Sequence, residues 1–171
     1  MNVHRLRNRV LALFFSRFPG LTKRWLEGQQ VDDYGLPPWT PLRKPLAACT
    51  VALVTTAGVH VRTDPPFDMV DKDGDPSFRA IARDTPLKQL CITHDYYDHR
   101  DADKDLNIVL PLTRLDELAR DQVIGGVAAF HYSFMGHIDG PHVSRLLSET
   151  APEVARRLKR EQVDAVVLTP A

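Results

Sequence analysis

Four short apolar runs decide what this chain can fold into. Thr50-Val-Ala-Leu-Val-Thr55, Leu90 to Thr93, Gly126 to His131 and Val163-Asp-Ala-Val-Val-Leu168 are each four to six residues long. Runs of that length, rich in β-branched side chains, read as buried strands. Segments of helical period separate the later ones. Thr113 to Asp121 carries Leu115 and Leu118 on one side, with Thr113 as its cap and Asp116 and Glu117 in its first turn. Pro141 to Arg160 forms a longer helix that Pro152 should interrupt. Asp64 to Pro86 is polar and irregular, with one turn of helix near Phe78 to Ala82. Strands alternating with helices specify an α/β fold: an open, mostly parallel sheet with Rossmann- or flavodoxin-like layers.

Helices should precede that sheet. Val3, Leu6, Val10, Leu13, Phe14 and Phe18 recur at helical spacing among six basic residues and one acid, Glu27, between Met1 and Gln30. The uninterrupted apolar run Val10 to Phe15 is too short for a secretory signal, and Arg17 breaks it. The helix is read as docking on its own domain or on a partner subunit; a membrane surface or a nucleic acid are the alternatives. Gly28 to Pro45, with Pro37-Pro38 and Pro41, is a connector. The chain thus divides into a helical extension, 1–45, and an α/β domain, 46–171. No segment is long enough to span a bilayer. Cys49 and Cys91 form no CxxC, and read as reduced thiols of a cytoplasmic protein.

In an open α/β sheet, ligands bind beyond the carboxyl ends of the strands. Thr56 to His60, His94 to His99, His131 to Gly136, and whatever follows Ala171 would meet there. Thr55-Thr56-Ala57-Gly58 offers hydroxyls and a permissive glycine where backbone N–H groups could cradle an anion. Neither GxGxxG nor GxxxxGK[ST] occurs, so nucleotide binding has no support, and no nucleic-acid partner is expected. The substrate-binding candidates are Thr56, Gly58, His60, Asp95 and Tyr97. His94, His99 and His131 are candidates for general acid–base work, because imidazole titrates near neutrality. The segment Asp64 to Asp105 holds eleven aspartates and no glutamate, which speaks for turns and caps. Asx turns and His–Asp hydrogen bonds account for the cluster from His94 to Asp105 without a metal. Asp71-Lys-Asp-Gly-Asp75 fails as a calcium loop, since its glycine falls fourth and Ala82 stands where a bidentate Glu belongs.

Several segments, in order, resemble one family. They are Val51-Ala-Leu-Val-Thr-Thr-Ala-Gly-Val-His60, Pro65-Pro-Phe-Asp68, Gly74-Asp75 with Ser77-Phe-Arg79, and Thr93-His-Asp-Tyr-Tyr-Asp-His99 with Asp105-Leu-Asn107. Pro111 to Leu118, Ile124-Gly125, His131-Tyr-Ser-Phe-Met-Gly136 and Val163 to Pro170 continue the series. The family is selenoprotein B of the glycine/sarcosine/betaine/D-proline reductases, and the resemblance runs from about Pro45 to Ala171. It implies reductive cleavage of the C–N bond of a small amino acid or betaine. It also implies a partner subunit carrying a pyruvoyl group, and a thiol or thioredoxin-type reductant. In the family, the strand equivalent to the one ending at Leu168-Thr169-Pro170 leads almost at once to a selenocysteine. The nucleophile is therefore expected just after Ala171, and the chain is expected to be truncated at a UGA codon and inactive as it stands. No cofactor is assigned to the chain itself. Two other readings stay open: a non-catalytic α/β domain binding a small carboxylate or a partner subunit, and a metal-dependent hydrolase using the His/Asp cluster.

Overall fold

The computed structural model describes residues 3–27, 35–36 and 40–171. Most of the expected connector, Gly28 to Pro45, lies outside the described residues. Two helices, α1 (Val3–Arg17) and α2 (Pro19–Leu26), come first. The strand β1 (Thr50–Thr55) then runs through the middle of the main sheet. Its side chains serve both faces: Val51 and Leu53 join one buried cluster and Ala52 the other. A strand covered on both sides needs such an unbroken apolar run.

Every strand that pairs with β1 is parallel to it. The last strand, β7 (Ala165–Thr169), matches it over five residues, from Val51 opposite Ala165 to Thr55 opposite Thr169. Its other edge is shared by β5 (Gly126–Val127) at the start and β6 (Phe130–Phe134) at the end. Outside β6 lies β3 (Phe78–Ala82), which is antiparallel. The α/β class and the mostly parallel sheet are thus as the sequence implies.

Three assignments change. Phe78 to Ala82 is an edge strand and not a turn of helix. Phe78 and Ala80 pack into one cluster and Ile81 into the other, a period of two that only a strand can present. The run at Leu90 belongs to no part of the main sheet. As β4 (Leu90–Ile92) it pairs antiparallel with β2 (Val59–Val61), a strand within what reads as a loop in the sequence. The run Gly126 to His131 is two strands broken at Ala128 and Ala129.

That break has a chemical mark. Ala128 N–H still reaches Val51 O at 2.9 Å, but Ala129 O turns outward to accept from Arg83 N–H. Leu53 N–H is left without a strand carbonyl and donates instead to His131 Nδ1 at 3.0 Å. A buried imidazole, fully shielded from solvent, completes the ladder of β1.

One face of the sheet carries α3 (Leu112–Arg120), which buries Leu112 and Leu115. Thr113 is not its cap, because the helix begins one residue earlier and Pro111 offers no side-chain acceptor. Asn107 Oδ1 takes that part, accepting from Thr113 N–H at 3.1 Å and Thr113 Oγ1 at 2.7 Å. Asp105 in turn holds Asn107 through its N–H and its Nδ2. The opposite face carries α4 (Pro141–Arg145), a π-helical turn over Leu146–Thr150, and α5 (Ala151–Arg160). The π turn meets the proline interruption expected at Pro152, whose missing N–H cannot continue an α-helical ladder. Val154 and Leu158 of α5 pack on Tyr132 and Phe134.

Asn107→Ala removes the acceptor at the start of α3. Its urea midpoint should fall by the equivalent of about 1 kcal/mol with an unchanged m-value.

Candidate functional site

The carboxyl ends of β1, β6 and β7 meet the segment after β4 in one tightly stitched corner. Thr55 Oγ1 donates to Thr169 O at 3.1 Å and accepts from Ala57 N–H at 3.2 Å. Thr56 N–H donates to Thr169 O, and Thr56 Oγ1 accepts from Ala171 N–H at 3.1 Å. Gly58 N–H donates to Phe134 O, and its carbonyl accepts from Thr93 N–H. Thr169 Oγ1 closes the set on Val109 O at 2.7 Å.

Two glycines allow this approach. Gly58 has φ of +68°, and a Cβ there would stand 2.5 Å from Thr93 O. Gly136 has φ of +91°, and a Cβ would run into Thr56 O. Both positions combine left-handed backbone with contact too close for any side chain. The N–H groups of Thr56, Ala57 and Gly58 are all spent in this stitching. The anion cradle expected of that loop is not formed; the same residue types serve to lock three segments together.

His94 sits in the corner, 5% exposed. Its Nδ1 accepts from Tyr96 N–H at 3.1 Å, and the ring packs edge-on against Tyr97 with centroids 4.6 Å apart. Burial pushes its pKa down to about 4, helped by the neighbouring His99 and His137. The ring is neutral at pH 7 and carries its proton on Nε2. Tyr97 Oη donates to Ala57 O at 3.2 Å, and burial pushes its pKa strongly upward.

Asp95 is as buried as His94, and its partner comes from the far end of the chain. Arg5 of α1 donates through Nε at 2.5 Å and Nη2 at 3.3 Å, and Arg9 Nε stands 3.8 Å away. The bond to Asp95 raises the Arg5 pKa further. A carboxylate taken out of water needs such a partner. Asn8, also buried, lies in the groove that α1 forms with Tyr96, Tyr97 and His137.

The remaining candidates lie around or away from this corner. His60 is buried in the small sheet, with Nδ1 on Val61 O and Nε2 on Thr93 Oγ1, both at 2.8 Å. His99 pairs with the exposed Asp103 at 2.8 Å, and its ring packs edge-on against Tyr97 with centroids 5.6 Å apart. Beside it, the Arg100 guanidinium holds Asp98 down to about 2. His131 faces the interior below α3, away from the corner, and burial lowers its pKa to about 4. The structure therefore gathers Thr56, Gly58, His94, Asp95 and Tyr97, sets His99 beside them against Tyr97, and leaves His60 and His131 in other surroundings. Sequence reasoning missed Arg5 and Asn8. Their shared face with Ala12 and Phe15, at helical spacing, was the available sign. Among the described residues, no group of three or more His, Cys, Asp or Glu is placed to hold a metal ion.

Residues 30–171 match the family model of glycine/sarcosine/betaine reductase selenoprotein B. The chain belongs to this family. It is 42% identical over 133 residues to the D-proline reductase subunit gamma of Acetoanaerobium sticklandii, covering 78% of this chain and 53% of that one. To the glycine reductase complex component B subunit gamma of Symbiobacterium thermophilum it is 30% identical over 156 residues, 85% of this chain and 35% of the relative. The corresponding subunit of Carboxydothermus hydrogenoformans is 30% identical over 136 residues, 77% and 30% of the two chains. The chain thus spans about half the length, or less, of these curated relatives. No solved structure matches it. This selenoprotein B homologue has no helix, among the described residues, long and apolar enough to cross a membrane.

Two of the buried histidines of this family member, His94 and His131, give it a defined acid response. Between the ordinary histidine value of 6.5 and about 4, the unfolded chain takes up a proton at each and the folded chain does not. Stability is therefore fully present above 6.5 and falls as pH falls, by up to about 3 kcal/mol per ring. His131→Asn keeps an acceptor for Leu53 N–H but cannot titrate. Its melting temperature should change less between pH 6.5 and 4 than that of the parent; an unchanged pH slope would contradict the burial argument.

Proposed function

We propose that this chain is the part of a selenoprotein B-type reductase subunit that builds the pocket floor for reductive C–N cleavage. The observation that carries this reading is the match of residues 30–171 to the family, coupled to the stitched corner where its segments meet. The overall reaction consumes two electrons and two protons, and replaces the C–N bond with a C–H and an N–H bond. In the family reading, selenocysteine supplies an ionised nucleophile at neutral pH, and thiols return the electrons. A pyruvoyl-bearing partner subunit would hold the amine end of the substrate.

The contribution of this chain is positional. Thr56 Oγ1 holds Ala171 N–H, and the two threonine–Thr169 bonds fix the direction in which β7 delivers the chain. The nucleophile is proposed to follow Ala171, beside Thr56, Gly58 and His94. His94, neutral and with its proton on Nε2, lines the corner, and Tyr97 and the Arg5–Asp95 pair wall it. The identity to the D-proline reductase relative, 42% against 30% for the glycine reductase relatives, favours a cyclic secondary amine such as D-proline as substrate.

The gene decides the first point. A UGA codon after that for Ala171, an open frame beyond it, and selenium in the protein by mass spectrometry are the expected results. A UAA or UAG codon there would sink the selenocysteine assignment. In the complete reductase, Thr56→Val should lower turnover of D-proline at least about tenfold while the melting temperature moves little, because the lost bond orients rather than supports. Full activity in that variant would remove Thr56 from the site.

A further inference from the structure

Helix α1 is docked the wrong way round for a helix that only supports its own domain. Arg5, Asn8, Ala12 and Phe15, spaced by three or four residues, form the stripe turned toward the protein; Asn8 is only 7% exposed. Two of those four side chains are polar, and the Arg5 fork on buried Asp95 is what anchors the stripe. The apolar stripe faces out. Leu6, Val10, Leu13 and Phe14 are 42–56% exposed, and Phe18 and Leu21 carry the patch onto the start of α2. An amphipathic helix normally buries the stripe that this one presents, so something outside the described fold covers it.

The charges say what. Arg7 and Arg17 lie on the outward side of α1, Lys23 and Arg24 follow on α2, and none has an acidic partner among the described residues. Glu27 is the one acid between Met1 and Gln30. On a helical projection Arg17 falls within the stripe of Leu6, Val10 and Leu13 rather than beside it. A second copy of this face, packed antiparallel, would set Arg7 of one chain against Arg17 of the other, which like-charge repulsion opposes. A buried protein groove would have to provide a carboxylate opposite Arg17. At a lipid headgroup layer, each arginine reaches phosphate by extending its own side chain while leucine and phenylalanine sink below.

We propose that the outward face of α1 and α2 docks on an anionic phospholipid surface. The helices lie on the membrane and do not cross it, in keeping with the absence of a spanning helix among the described residues. Both helices precede residue 30, where the family match begins, so the inference stands apart from the reductase reading.

The test uses the purified full-length protein and sedimentation with vesicles. Mixed phosphatidylcholine–phosphatidylglycerol vesicles should bind it, phosphatidylcholine vesicles should not, and raised salt should weaken the binding. The double variant Arg7→Glu, Arg17→Glu should lose at least about tenfold in partitioning, at roughly fivefold per basic residue. Phe14→Ser should lose binding too, with circular dichroism and melting temperature unchanged in both variants. Failure of the parent protein to bind anionic vesicles at low salt would overturn the proposal. So would a dimer by light scattering that Phe14→Ser dissolves, or a co-purifying acidic subunit that occupies this face and blocks vesicle binding.

Discussion

The five-residue parallel ladder between β1 and β7 is the constraint on which the rest of the structure depends. It joins residues more than a hundred positions apart, so its closure cost is high and must be met by contacts that form only in the finished fold. Threonine does much of that at the carboxyl end. Thr55, Thr56 and Thr169 use hydroxyl and backbone groups together to tie β1 to β7 and β7 to Val109. Alanine in their place would keep the strands, but not the direction of the chain beyond them.

Much of this was legible in the sequence, and the failures are physical. The runs at Thr50 and Val163 are rich in apolar, β-branched residues, and both are strands of the main sheet, but the second is not buried as expected: Val166, Val167 and Leu168 are exposed. Phe78 to Ala82 was obscured because an edge strand with one arginine and two alanines has little apolar contrast. Leu90 was misplaced because nothing in a short apolar run says which sheet it joins. The break at Ala128 is invisible without knowing that a histidine ring can replace a backbone carbonyl as the acceptor for Leu53.

The corner shows the same division. Glycines at 58 and 136 and hydroxyls at 55 and 56 were readable as a special loop, but their task is to bind the protein to itself. Histidine composition was a poorer guide: His94, His99 and His131 are alike in sequence, yet one lines the corner, one pairs with a surface aspartate, and one completes a strand. Burial makes His94 and His131 neutral rather than reactive at pH 7. The basic helix hides its role in a different way. Its periodicity predicts amphipathicity correctly and leaves open which stripe faces in; the buried Asp95 settles that, because a carboxylate there needs Arg5.

Hydrogen–deuterium exchange on the complete reductase, with and without D-proline, tests the central claim most directly. The account predicts slower exchange in substrate at residues 55–58, 93–97, 134–136 and 169–171, the four segments that meet at the carboxyl edge. Protection confined to the opposite edge, around Gly125 to Val127, with those four segments unchanged, would contradict it.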